Sequence, residues 1–272
     1  MPVSASTPLV LVGAGNMGGA MLSGWLKNGV DGASVLVIDP GPSEAMAAQM
    51  KEAGARHERS APEGVTAAIV FIAVKPQVME TVLPPLKALI GPETVIVSVA
   101  AGKTLAFLAQ HLGDAGMVRA MPNTPAMIGR GVTGAYANDR VTDSMRAEVH
   151  DLLKVSGPVE WVEREEDIDA VTAVSGSGPA YVFYLVECMA EAGRKLGLPA
   201  DLSMRLARET VAGAGELLHR SPEEASRLRQ NVTSPGGTTA AALSVLMAPE
   251  AMQPLFDKAI AAARLRAEEL GR

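Results

Sequence analysis

The sequence predicts an α/β protein in two parts: a doubly wound parallel sheet over residues 1–161, followed by an all-helical domain over residues 162–272. Two observations carry this prediction. The first part alternates short, unbroken apolar runs with amphipathic helical stretches, and unbroken runs are what strands buried on both faces require. After Trp161 such runs stop, and long Ala, Leu, Met, Glu and Arg stretches continue to the end. A chain of 272 residues also exceeds one ordinary domain, so two domains with sizeable cores are expected.

The strands are expected at "PLVLVG", "SVLVID", "AIVFIAV", "TVIVSVA" and "MVRAMP", with "GVTGAYA" as a further edge strand. Helical spacing fills the gaps over residues 17–27, 43–53, 78–89 and 105–111, which makes βαβ units. In the second part, helices are expected to begin at "SGSGPAYV", "LPADLSM", "SPEEASRL", "SPGGTTAA" and "APEAMQPL". Each start carries a Ser, Asp or Thr cap or a proline suited to a first turn. The helix from Pro179 to Leu196 is apolar almost all round in its first half, and a helical domain of roughly a hundred residues is marginal at covering it. A homodimer through this domain is the expected cover, with burial against the sheet domain as the alternative.

Composition narrows the class. Hydrophobic residues are 48% and charged residues 20%, as in a folded globular protein. A net charge of −6 without a basic run, and only 3% aromatics, argue against nucleic acid as a partner. The single cysteine, Cys188, has no intramolecular disulfide partner and reads as a small buried thiol in a reducing cytoplasm. The opening "MPVSASTPLVLVGAG" lacks a basic leader region, so no signal peptide is expected. The apolar stretch from Val171 to Ala190 is broken by "SGSGP" and Glu187, so no membrane span is expected either. His57, His111, His150 and His219 show no ligand spacing, and no metal site is expected.

The motifs gather where strands end. "LVLVGAGNMGGAML" is a G-x-G-x-x-G in which Gly13 makes the tight turn, Gly15 admits a pyrophosphate and Gly18 lets helix and strand pack closely. It follows a strand and opens a helix at Asn16 and Met17, the context of a Rossmann-type dinucleotide site. Asp39, 21 residues beyond Gly18, stands where an acidic group bonds the adenine-side ribose. That favours NADH, yet Asp39 could equally cap the following turn, and Lys51, Arg56 and Arg59 lie near enough to keep NADPH open. "FIAVKPQ" brings Ala73, Val74, Lys75 and Pro76 to the crevice as candidates for the nicotinamide-side ribose or phosphates. "RAMPNTPAMIG" adds a rigid polar loop with Asn123, Thr124 and Pro125. Arg119 and Glu160 remain as charged candidates, and the run Glu163 to Asp167 reads as a solvated face at the domain junction. "SGSGPAYV" either lines the pocket or serves packing.

The stretch "VTSPGGTTAAAL" places two glycines and two threonines at a helix entrance. Such an entrance offers backbone N–H donors and a favourable dipole to an anion. A redundant helix cap would explain one hydroxyl but not the paired glycines.

Taken in order from Gly13 to Leu243, "GAGNMGGAM", "AVKPQ", "RAMPNTPA", "SGSGPAYVF" and "VTSPGGTTAAAL" resemble the motifs of pyrroline-5-carboxylate reductases. The resemblance implies reduction of 1-pyrroline-5-carboxylate to L-proline by NADPH or NADH, the last step of proline biosynthesis. It implies an interlocked dimer, often five dimers in a decamer, with each active site between one subunit's cofactor and the partner's helical domain. It also implies that Ser234, Gly236, Gly237 and Thr238 hold the substrate carboxylate, mostly through backbone N–H groups, while Thr239 points at the ring nitrogen. A protonated cyclic imine already carries its activating charge, so no strong general acid is needed and orientation is the main demand. Two other readings compete. A hydroxyacid-type dehydrogenase would need a helix lysine in the crevice, and Lys195 sits at the far end of its helix. A cofactor-binding regulatory protein would not need the "SPGGTT" entrance.

Overall fold

The computed structural model describes residues 3–271 and builds eight strands into one sheet, ordered β3-β2-β1-β4-β5-β6-β7-β8. The strands are β1 (Leu9–Val12), β2 (Val35–Ile38), β3 (Arg56–Glu58), β4 (Ile69–Ile72), β5 (Val95–Ser98), β6 (Gly116–Met121), β7 (Thr133–Ala137) and β8 (Val159–Trp161). All neighbours run parallel except β6 and β7. Strands β1, β2, β4 and β5 are buried along their whole length, which is why their sequences show no polar alternation.

Alternate residues of β1 feed two cores. Leu9 and Leu11 join α1 (Asn16–Lys27), α2 (Glu44–Ala53) and α5 (Asp143–Leu153) on one face of the sheet. Val10 and Val12 join α3 (Met79–Leu86) and α4 (Leu105–Leu112) on the other. Trp25 of α1 is fully buried, packs edge-on against Phe71 at 5.0 Å and donates its indole N–H to the Leu152 carbonyl at 2.8 Å. One side chain thus joins α1, β4 and α5. Serine or threonine caps fix the starts of α2, α4 and α5 through Ser43, Thr104 and Thr142.

The remaining helices are α6 (Asp167–Val171), α7 (Gly178–Lys195), α8 (Ala200–Arg220), α9 (Ala225–Asn231), α10 (Thr238–Leu246) and α11 (Met252–Leu270), with a π-helical turn at Thr172–Gly176. The chain forms two compact units: one runs to Gly176 and takes in the residues from Ala263 onward, and the other is Ser177–Ala262. The division read from composition falls at Trp161, before α6. Within the helical unit, α7 to α10 begin without a side-chain cap, so the serines, aspartates and threonines near their starts do not serve the expected way. No helix of the described residues is long and apolar enough to cross a membrane.

Three further expectations need correction. "GVTGAYA" forms β7, but β8 pairs outside it, so β7 is interior rather than an edge. Cys188 is exposed, because α7 buries only Ala190 and leaves its apolar side chains uncovered in the single chain. Glu165 is not a solvated member of its charge run: its carboxylate accepts from the Leu105 N–H at 2.7 Å and lies 3.5 Å from Arg119.

Candidate active site

The dinucleotide motif is built by three strand ends. Gly13 leaves β1 with φ +90, a region open to glycine. A Cβ there would stand 2.8 Å from the Val74 Cγ1 and 3.0 Å from the Ala73 carbonyl oxygen, so the end of β4 packs directly on the turn. At Gly18 a Cβ would fall 2.0 Å from the Gly13 oxygen, which makes helix α1 and its entry turn inseparable. At Gly15 a Cβ would meet nothing within 4 Å, leaving the space in front of α1 open. No side-chain cap and no acidic residue closes that first turn. Open space, exposed donors and a positive helix end fit a dinucleotide pyrophosphate.

Asp39 follows β2 and is held from both sides. One carboxylate oxygen accepts from the Ala14 N–H at 2.7 Å and the other from the Gly41 N–H at 2.8 Å. Its own N–H donates to the Glu58 carbonyl at 3.0 Å, and its carbonyl contacts the His57 Nε2 at 2.9 Å. The turn-capping reading of Asp39 is therefore realised, and the carboxylate also braces the glycine loop. A carboxylate has about four acceptor sites, so two stay open toward a ligand. Asp39, Gly13 and Val74 line one pocket of about 500 Å³ together with Arg59, Ser60 and Gln77. Gln77 went unremarked in the sequence, where nothing separates it from an ordinary helix-entry glutamine.

Lys75 is exposed and sits just before the 3-10 turn Pro76–Val78 at the end of β4. Asn123 begins a second 3-10 turn, Thr124–Ile128, after β6. Its amide oxygen accepts from the Val132 N–H at 3.0 Å, and its amide N–H donates to the Ser175 carbonyl at 3.2 Å. Asn123 thus pins the loop to the π-helical turn, a local widening common near functional sites. Thr124 is exposed and Pro125 half-buried. Deeper in the sheet, Arg119 of β6 is buried, with its guanidinium 2.6 Å from Asp169 of α6.

In the helical unit, Gly236 has φ +70 and turns the chain so that the Gly237 N–H donates to the Ser234 carbonyl at 3.0 Å. A Cβ on Gly237 would lie 2.4 Å from the Ser234 hydroxyl oxygen and 3.2 Å from the Ser234 carbonyl oxygen, so any larger residue would displace the serine side chain. Helix α10 then starts with Gly237 as its cap residue, no side-chain cap and no acidic group in the first turn. The first intrahelical bond runs from Ala241 to Gly237 at 3.1 Å, so the first-turn donors lack helical acceptors. Ser234 and Thr238 are exposed and Thr239 is half-buried. This is a second anion-receptive helix start, distinct from that of α1.

Comparison with known proteins accounts for both halves. Residues 165–270 match the family model described as pyrroline-5-carboxylate reductase dimerisation, and residues 8–102 match NADP oxidoreductase, coenzyme F420-dependent. The pyrroline-5-carboxylate reductase of Pseudomonas aeruginosa is 40% identical over 267 residues, covering 97% of each chain. A solved pyrroline-5-carboxylate reductase from Coxiella burnetii superposes with a TM-score of 0.90 at 34% identity, covering 98% of this chain and 99% of that one. The Plasmodium falciparum pyrroline carboxylate reductase solved with NADP bound gives a TM-score of 0.80 at 27% identity, covering 98% and 99%. The matches run through both the sheet-containing and the helical parts of the chain, and this chain belongs to the pyrroline-5-carboxylate reductase family.

Proposed function

We propose that the two anion-receptive helix starts divide the work of this reductase: the strand-end cluster binds NADPH or NADH, and the entrance to α10 binds the substrate carboxylate. Residues 1–161 then form the dinucleotide-binding domain and residues 162–272 the dimerisation and substrate-binding domain. The reaction reduces 1-pyrroline-5-carboxylate to L-proline, the last step of proline biosynthesis. When bound, NAD(P)H supplies the hydride that reaches the imine carbon.

The chain's own residues bind and orient. Gly13, Gly15, Asn16, Met17 and Gly18 hold the pyrophosphate against α1, and Asp39 takes the adenine-side ribose. Ala73, Val74, Lys75 and Pro76 face the nicotinamide-side ribose and phosphates, with Asn123, Thr124 and Pro125 as a rigid wall beside them. Ser234, Gly236, Gly237 and Thr238 receive the carboxylate, and the Thr239 hydroxyl bonds the ring nitrogen. In a dimer, one subunit's α10 entrance serves the cofactor of its partner. The enzyme works in the cytoplasm as homodimers that assemble further, up to a decamer, without nucleic acid or membrane as a partner.

The observation that carries this reading is the α10 entrance, where the glycine turn and the absence of any cap or acidic group leave the donors to an outside anion. Oxidation of NADH and NADPH with racemic pyrroline-5-carboxylate, assayed together with proline formation, tests it. Wild type should form proline, and Thr239→Ala should lose roughly ten- to a hundredfold in kcat, the worth of one hydrogen bond to a charged group. Wild-type turnover by Thr239→Ala would remove the role of Thr239, and absence of proline would remove the reading itself.

A further inference from the structure

We propose that the pocket at the end of β2 selects NADH over NADPH, through the braced carboxylate of Asp39 and a following loop with two prolines, a committed Gly41 N–H and an acidic helix start. The inference rests on the dinucleotide reading above and concerns the one difference between the two cofactors, a 2′-phosphate on the adenine-side ribose. A site that accepts this phosphate supplies cations or several N–H groups at the end of β2. Directly after β2 this chain places a carboxylate, two prolines and the acidic start of α2 instead, and the pocket's basic residue comes from the end of β3.

The loop after Asp39 reads Pro40, Gly41, Pro42, Ser43. Both prolines lack an N–H. The Gly41 N–H is already given to Asp39 at 2.8 Å, and the Ser43 hydroxyl caps α2 by accepting from the Met46 N–H at 3.2 Å, which leaves its own proton as the loop's one side-chain donor. Glu44 occupies the first turn of α2, so this helix start is already matched to a carboxylate and disfavours a second anion. Asp39 cannot swing aside to admit a phosphate, because the Ala14 and Gly41 N–H groups hold both its oxygens. Its two open acceptor sites suit ribose hydroxyls, which can donate where a phosphate cannot.

The cations named in the sequence do not reverse this. The Arg56 guanidinium donates to the Ala5 carbonyl at 3.2 Å. Lys51 lies in the last turn of α2, about 10 Å along the helix from its start. Arg59 is the basic residue that lines the pocket, beside Ser60. Its planar guanidinium suits stacking on an adenine face, a contact common to both cofactors.

Calorimetric titration of the purified full-length protein with NADH, NADPH, 5′-ADP and 2′,5′-ADP tests the proposal directly, alongside kcat/KM for both reduced cofactors. NADH should bind at least roughly tenfold more tightly than NADPH, as expected for a phosphate beside a fixed like charge, and 5′-ADP should exceed 2′,5′-ADP in the same sense. Asp39→Asn should narrow the gap by improving NADPH relative to NADH. Should that variant fold poorly, Arg59→Ala still decides: it should weaken both cofactors alike and leave their ratio within about twofold. Equal or tighter binding of NADPH by the wild type, or a selective loss of NADPH in Arg59→Ala, would overturn the proposal while leaving dinucleotide binding intact. If none of the four nucleotides bound, the dinucleotide reading would fall first and this one with it.

Discussion

Arg119 is a buried cation at 3% exposure, with the Asp169 carboxylate at 2.6 Å and that of Glu165 at 3.5 Å. Glu165 in turn accepts the Leu105 N–H at the start of α4, so one ionic cluster ties β6 to α4 and α6. Removing the cation leaves two partly buried carboxylates facing each other. Arg119→Met is expected to lower the free energy of unfolding by about 3 kcal/mol, read from urea denaturation. A loss below about 0.5 kcal/mol would mean that the cluster relaxes into water instead. The sequence pointed to Arg119 but placed Glu165 with its solvated neighbours, since a charge run looks the same whether or not one member turns inward. The turn-capping reading of Asp39 was legible because its place directly after a strand and before a Pro-Gly turn is a backbone constraint. Gly13 and Gly18 were legible for the same reason: each answers a separate steric demand of one turn, whereas Gly15 faces open space.

At the scale of elements, α7 closes with a ladder of charges. Both guanidinium arms of Arg194 donate to Glu191, at 2.7 and 2.8 Å, and Lys195 adds an ion pair at 3.7 Å. The hydrogen bonds from Arg194, aided by its charge and that of Lys195, hold the Glu191 carboxyl at about 2, below its ordinary 4.5. The sign follows from the depressed value: the pair's contribution is full above the unfolded value of 4.5 and is lost as pH falls through about 2. An NMR titration of the Glu191 side chain should show a midpoint near 2, moving up toward 4.5 in Arg194→Gln. A midpoint already near 4.5 in the wild type would show that the ladder is not held in solution. The elements that sequence pattern missed share a cause. β3 is "RHE", exposed at every position, and β8 has three residues, so neither carries an apolar run. Helix α5 buries only Val149, Leu152 and Leu153 along an otherwise polar stretch. Strands β1, β2, β4 and β5 were legible because burial on both faces leaves no room for polar residues.

The molecule as a whole exposes an apolar surface that a lone chain would not keep. On α7 alone, Phe183 is 62% and Tyr184 66% exposed. This helix lies inside the stretch that matches the dimerisation model. Phe183→Asp is therefore expected to shift the protein from dimer to monomer, measured as mass by light scattering after size exclusion. An unchanged mass would take Phe183 out of the interface. The closing segment of α11 belongs to the sheet-containing unit, where a Cβ on Gly102 would lie 2.6 Å from the Leu270 Cβ. The helical unit is consequently an insertion, entered after Gly176 and left before Ala263. A protease that nicks it once frees neither fragment from the sheet-containing unit: the upstream piece stays continuous with the strands, and the downstream piece stays moored by the end of α11. Unfolding by mechanical pull on the two chain ends would likewise load the α11 mooring before any force reached the insertion.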